Sequence, residues 1–424
     1  MDLSVNQMIK ILYPLALLTI ILLPNQRVGE LSWHGLRVMP ADLALGAALL
    51  VWLVLIAWFR VTPHGQNAVV PPIPRIPACH FALLAVALAS MIVADLSRVE
   101  VKDWLQSAVR ELAQLIEYLL VGYLIFSAAF QHSRRLNTAL WVWFGSSALV
   151  IAWGLGELFL QPHAAYVGAS FGTHGFAGRH AYSTYLALAL PALLGTALTE
   201  QRRWMQLLLV CLVIGGVVSI LSPGGLLVVL ISLTLVSAWH SRRAAALCVG
   251  GIALFLLVLP VLLPRNYSEC VQKGCNFLHG RDVKKVYLEP QAVLNLFERH
   301  SLLGVGIGNY QANIGQYYFS LPNTEKLEEG STGGYWLILG SMGWLGLCSL
   351  VALLLYHRRL INEAARRASL SLWTDQRWAL ALRGSLAGFV LASLFSNVLV
   401  RGTGLAFALV LSSISSSSMK ERGE

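Results

Sequence analysis

Twelve apolar stretches, each about long enough to cross a bilayer, are interrupted by one long polar segment, Pro264 to Ser331. A hydrocarbon core about 30 Å thick takes roughly 20 helical residues. Runs of that size recur at 7–24, 41–59, 80–96, 103–130, 136–161, 180–198, 204–221, 223–239, 244–263, 332–356, 380–400 and 402–418. Lipid satisfies no backbone N–H or C=O, so each run is expected to be a helix, and the alternating strands of a membrane barrel are not seen. The expected fold is all-α: a polytopic membrane helical bundle of about twelve transmembrane helices with one large loop. Residues 1–263 would hold spans one to nine, 264–331 the loop, and 332–424 spans ten to twelve with a charged tail. A composition 56% hydrophobic and 12% charged excludes a water-soluble domain. The first span lacks the small-residue exit of a cleavable signal peptide and is expected to be retained.

The formal net charge of +10 invites a nucleic-acid reading, which the placement of the charges removes. With the N-terminus inside, cytoplasmic segments collect pairs such as Arg134-Arg135, Arg202-Arg203, Arg242-Arg243, Arg358-Arg359 and Arg366-Arg367. The short outer segments hold only Arg27, Arg37, Arg98, Lys102, Arg179 and Arg401. This is the positive-inside pattern, so topology accounts for the basic balance without a polyanionic partner. Both termini are then cytoplasmic, and the large loop lies outside, where its own charges nearly cancel.

Four of the six cysteines lie in or beside spans and read as small apolar residues. Cys270 and Cys275 sit close together in the outer loop, where a small-loop disulfide and two free thiols are equally open. No second cysteine pair or His-x-x-x-His accompanies them, so a metal site is not expected.

Within the loop, Pro290 is expected in the first turn of an amphipathic interfacial helix whose Val293, Leu294 and Phe297 share a face, ending near His300. The following Leu303-Gly304-Val305-Gly306-Ile307-Gly308-Asn309-Tyr310 reads as a turn at which backbone approaches something closely. It lacks the preceding strand, following helix and acidic partner of a dinucleotide fingerprint.

Charge inside or beside the spans points to function. The fourth span holds Arg110, Glu111 and Glu117. Arg110 and Glu117, seven residues apart, share a helix face. Arg110 lies roughly 10 Å below the outer surface, counted at 1.5 Å per residue. The pair reads either as an ion pair fixing helix packing or as part of the cationic wall of an outward-facing cavity. Arg179 ends the glycine-rich segment Gly168 to Arg179 and opens span six. Arginine among glycines at a helix N-terminus suits phosphate oxygens, although snorkelling is the plainer alternative. With Arg281, ahead of the loop helix, and Arg401, between the last two apolar runs, these arginines suggest a site for an anionic lipid headgroup.

These segments resemble the bacterial O-antigen ligase and O-antigen polymerase superfamily, polytopic inner-membrane glycosyltransferases of GT-C type. The resemblance rests on the layout and on three segments: Ser170 to Leu186, Leu302 to Tyr310 behind Gly280-Arg281, and Tyr335 to Leu347. It implies metal-independent, cofactor-free transfer of a glycan from an undecaprenyl-pyrophosphate carrier, at the periplasmic face, to a growing glycan or a lipid A-core acceptor. Arg179 and Arg281 would bind the pyrophosphate, with Arg401 and Arg110 as further candidates. The chain departs from the pattern at Thr332, which stands where the family's proposed histidine base is expected, and at Ser222-Pro223, where relatives commonly carry Ser-Arg. Glu328 and Glu329 then become candidates for the base, with His279 and His300 behind them.

Three readings follow. The first is a divergent polymerase or ligase of lipopolysaccharide or exopolysaccharide biosynthesis. The second is an inactive relative that binds lipid-linked glycan or scaffolds an assembly. The third is a lipid-linked glycan transporter, against which stand the lack of visible repeats and a midplane poor in charge.

Overall fold

The computed structural model describes residues 5–24, 31–33, 36–61, 74–96, 104–160, 179–220, 223–262, 281–317, 333–368, 374–399 and 401–419. Among them the architecture is a helical bundle. Helix α1 spans Val5–Leu22, and a short antiparallel hairpin, β1 (Leu31–Trp33) with β2 (Leu36–Val38), leads into α2, Pro40–Val61. Helix α2 starts on a proline, whose missing N–H costs nothing in a first turn. The Asp42 carboxylate reaches back to accept the Met39 amide at 2.8 Å, half of a capping box. Next come α3 (Ala78–Leu96) and α4 (Trp104–Ile116), which runs through a π turn at Glu117–Gly122 into α5 (Tyr123–Ala129). Then follow α6 (Ser133–Leu160), α7 (Arg179–Thr199), α8 (Arg203–Ser219), α9 (Pro223–His240) and α10 (Arg242–Leu262). The polar segment contributes α11 (Arg281–Arg299) and α12 (Tyr310–Ile314), and the chain ends with α13 (Gly334–Ala368), α14 (Thr374–Ala392) and α15 (Arg401–Met419).

Helices therefore stand at each of the twelve apolar stretches. Among the described residues, five helical stretches are long and apolar enough to cross a membrane: Pro40–Ala57, Leu105–Ala129, Arg134–Glu157, Ala181–Thr199 and Gly334–Arg366. Six shorter apolar helices accompany them. The outward surface suits lipid, since Leu149, Leu247 and Leu257 are each more than 70% exposed. The interior also holds polar side chains, among them buried Thr19, Ser147, Thr196, Ser232, Ser385 and Ser413. Most such hydroxyls return a hydrogen bond to their own helix, as Ser147 does to the Trp143 carbonyl at 2.8 Å. Others join helices. Tyr185 shares a hydrogen bond with Ser147 at 2.9 Å and Tyr182 one with Ser219 at 2.7 Å, tying α7 to α6 and α8.

Helix α7 is the hub of the bundle. It is buried along nearly its whole length and packs most extensively on α14, then on α9. Small residues bring α7 and α14 together. A Cβ added at Gly384 would lie 2.8 Å from the Pro191 carbonyl oxygen, one at Gly195 would lie 2.9 Å from Ala381 Cα, and one at Gly388 would overlap the Ala187 carbonyl. Between the two glycines of α14, Ser385 donates to the Leu188 carbonyl at 2.8 Å. This is the small-xxx-small contact that lets helices associate where no hydrophobic effect separates side chain from lipid.

Three expectations are corrected here. Pro290 is not in a first turn: α11 begins nine residues earlier, at Arg281, although it ends at Arg299 as expected. Leu294 is exposed, while Ala292, Val293 and Leu296 form the buried stripe. The eleventh run is displaced, since α14 ends at Ala392 and residues 393–399 form a turn. That turn contains Leu394, Phe395, Val398 and Leu399 and looks like membrane span in sequence. It leaves the helix because the Ser393 and Ser396 carbonyls are spent on Tyr335 and Gly334 at the head of α13, at 3.2 and 3.1 Å.

Candidate functional site

The glycine-rich turn after α11 is folded into the bundle. Gly304, Gly306 and Gly308 have φ of 65°, 93° and 79°, and α13 is broken by Gly343 at φ 63°, ψ −159°. The two irregularities complete each other. An unbroken helix would send the Trp344 and Leu345 amides to the Gly340 and Ser341 carbonyls. Instead these amides bond the Ser301 and Leu302 carbonyls of the turn at 2.9 and 3.3 Å. The freed Gly340 and Ser341 carbonyls accept the Val305 and Gly306 amides at 2.9 and 3.0 Å. Two helix bonds are thus exchanged for four across a seam, which is how irregular backbone is tolerated inside a membrane bundle.

The other side of the turn meets α3 and α4. The Ile307 amide donates to Ser90 Oγ at 3.3 Å and the Gly308 amide to Glu111 Oε2 at 3.1 Å. A Cβ at Gly308 would collide with the backbone of Ala108. The close approach expected of this segment is therefore an approach to α13 and α4. Glu111 anchors the turn. Arg110 is exposed, with its charge in reach of Glu111, and Glu117 shares a hydrogen bond with Asp42 of α2, so the sequence pairing of Arg110 with Glu117 is not what α4 builds.

Beyond the turn lies a carboxyl that the sequence reading passed over. Glu289 of α11 is only 5% exposed, and Tyr310 at the start of α12 donates its hydroxyl to Glu289 Oε1 at 2.8 Å. The Gly333 amide donates to the same carboxyl. Gly340 makes room for Tyr310, because a Cβ there would overlap its ring. The signal was present in the sequence: Glu289, Ala292, Val293 and Leu296 follow helical spacing, so Glu289 is an acid on the apolar stripe.

Several elements meet at this carboxyl. Gly333 is one peptide bond after Thr332. Next to it, the Gly334 amide bonds the Ser396 carbonyl at 3.1 Å, and Thr184 of α7 donates to Ser396 Oγ at 3.0 Å. Thr184, Ser396 and Glu289 are close in sequence to the three arginines, each of which is the first residue of its helix: Arg179 of α7, Arg281 of α11 and Arg401 of α15. At 1.5 Å per residue, Arg179 starts about 7.5 Å along α7 from Thr184, and Arg281 about 12 Å along α11 from Glu289. The structure describes the backbone of these arginines and not their side chains. Glu328, Glu329, Thr332, His279, Cys270 and Cys275 lie outside the described residues, and His300 is half-buried just beyond α11.

No protein-family model matches the chain, and no curated protein matches it.

Burial pushes the Glu289 carboxyl up from its ordinary 4.5 to about 7, against the opposing pull of the hydrogen bonds from Tyr310 and Gly333. Between those values the folded protein holds a proton that the unfolded chain releases, so stability falls as pH rises through the interval and levels off above it. At about 1.4 kcal/mol for each tenfold in proton affinity, the loss is on the order of 3 kcal/mol. Glu289→Gln should abolish it: in thermal melts of detergent-solubilised protein, the variant is expected to gain on the wild type between pH 5 and pH 8. Parallel pH dependences would contradict this placement of Glu289.

Proposed function

We propose that the chain transfers a glycan from an undecaprenyl-pyrophosphate carrier to a sugar hydroxyl at the periplasmic face of a bacterial inner membrane. In this reading it is a GT-C-like bundle of twelve spans acting in O-antigen or exopolysaccharide assembly, as polymerase or ligase. The observation that carries the reading is one buried carboxyl, Glu289, on a helix that opens with Arg281, bonded by Gly333, whose neighbour Gly334 is tied through Ser396 to Thr184 of the helix that opens with Arg179. Helix N-termini offer free N–H groups and a favourable dipole to an anion, and arginine adds a bidentate cation. A departing pyrophosphate gathers negative charge, which such groups stabilise in the transition state more than in the ground state. The seam supports the same reading by fastening part of the polar segment to the spanning helices α13 and α4, as a site for an interfacial headgroup requires.

Arg179→Ala and Arg281→Ala, made separately in the purified protein, test this with a synthetic polyprenyl-pyrophosphate oligosaccharide. Each variant is expected to slow donor consumption by about 10²-fold, the scale of removing one charge-stabilising donor, while melting like the wild type. Wild-type rates in both would overturn the assignment. Thr332 favours a second reading, an inactive relative that binds lipid-linked glycan or scaffolds an assembly. Donor turnover by the purified protein alone would exclude it.

A further inference from the structure

Resting on that transfer reading, we infer that Glu289 is the proton acceptor for the incoming sugar hydroxyl, with Tyr310 and the Gly333 amide holding its carboxyl in position. The geometry suits the task. A carboxylate offers about four acceptor positions, of which Tyr310 and Gly333 occupy two, so lone pairs remain for an acceptor O–H. Both partners are neutral donors, so they orient the carboxylate without tying it into an ion pair.

Two further titratable groups among the described residues of the elements packed against α11 are engaged elsewhere. The Tyr335 hydroxyl donates to the Val390 carbonyl at 2.9 Å, and the Tyr317 ring lies under the Arg299 guanidinium. Packing does not require an acid at this position. An apolar residue would complete the stripe made by Ala292, Val293 and Leu296 without the desolvation cost of a carboxyl. A buried carboxyl held by two neutral donors, on a helix that opens with Arg281, has the character of a general base.

The step balances without a metal or redox partner. The acceptor O–H bond breaks and its proton moves to Glu289. The acceptor oxygen forms a bond to the anomeric carbon as the bond from that carbon to the phosphate oxygen breaks. The pyrophosphate leaves with the electron pair, and Glu289 later returns the proton to water.

The alternative is that Glu289 only pins α11 to α12 and to the head of α13. Glu289→Gln separates the two roles, because an amide oxygen still accepts from Tyr310 and Gly333 but takes no proton. With the synthetic polyprenyl-pyrophosphate oligosaccharide and a sugar acceptor, E289Q is expected to transfer about 10²- to 10⁴-fold more slowly, with donor binding unchanged. Glu289→Asp is expected to keep part of the rate with the acid limb of its pH profile displaced. A rate for E289Q within a few-fold of wild type would overturn the inference and leave the transfer reading standing. So would an acid limb of E289D superimposable on that of the wild type, the deciding measurement should E289Q fail to fold. A wild-type protein that neither binds nor consumes the donor would remove the transfer reading, and the inference with it.

Discussion

Gly343→Ala is expected to destabilise the protein by roughly 4 kcal/mol, combining backbone strain with overpacking. At φ 63° and ψ −159°, Gly343 occupies a region open essentially to glycine alone. A Cβ there would also meet the Leu302 carbonyl group and lie 2.6 Å from the Ser301 oxygen, so the obstacle is backbone that cannot rotate away. Relief would require the Trp344 and Leu345 amides to release the turn, and with it the hold on Val305 and Gly306. The expected result is an early melt of the solubilised protein and rapid proteolysis between Ser301 and Tyr310. A variant that melts and digests like the wild type would mean that the seam is not needed.

Gly388→Leu should cost roughly 3 kcal/mol or more, through α7 rather than through the seam. Its first side-chain carbon would overlap the Ala187 carbonyl, and the only relief is to part α7 from α14. Parting them also strains the bond from Ser385 to Leu188. Because α7 is the hub of the bundle, loss of monodisperse protein on size exclusion is the expected readout. Normal yield and an unchanged melting midpoint would show that the contact is slack.

Much of this layout was legible in the sequence because lipid imposes a simple rule on backbone. The break at Ser222-Pro223 separates α8 from α9, and the one at Arg401 opens α15, as expected. Hydropathy misplaced the end of α14, where apolar residues form a turn stabilised by long-range backbone bonds that no local pattern announces. It also shortened α11, because Pro290 read as a helix start and is in fact carried inside the helix. Glycines marked both halves of the seam, Gly304 to Gly308 and Gly340 with Gly343, but not that the two halves join. That pairing is between main-chain atoms and leaves no complementary side chains to read.

The candidate site was less legible. Arg179, Arg281 and Arg401 stood out because charge is rare in an apolar chain, and each proves to open a helix. Glu289 was obscured because the polar segment was read as neutral loop, where an acid is unremarkable. Its meaning came from the residues that follow it on the same stripe, and from Tyr310 and Gly333, which are distant in sequence.

A joint written in amides and carbonyls specifies few letters. Its own bonds fix only the glycines, where no other residue fits, while Val305, Ile307 and Asn309 are held in place by burial instead. Freedom of lettering is left to exposed positions such as Leu302, whose carbonyl serves the joint whatever side chain it carries.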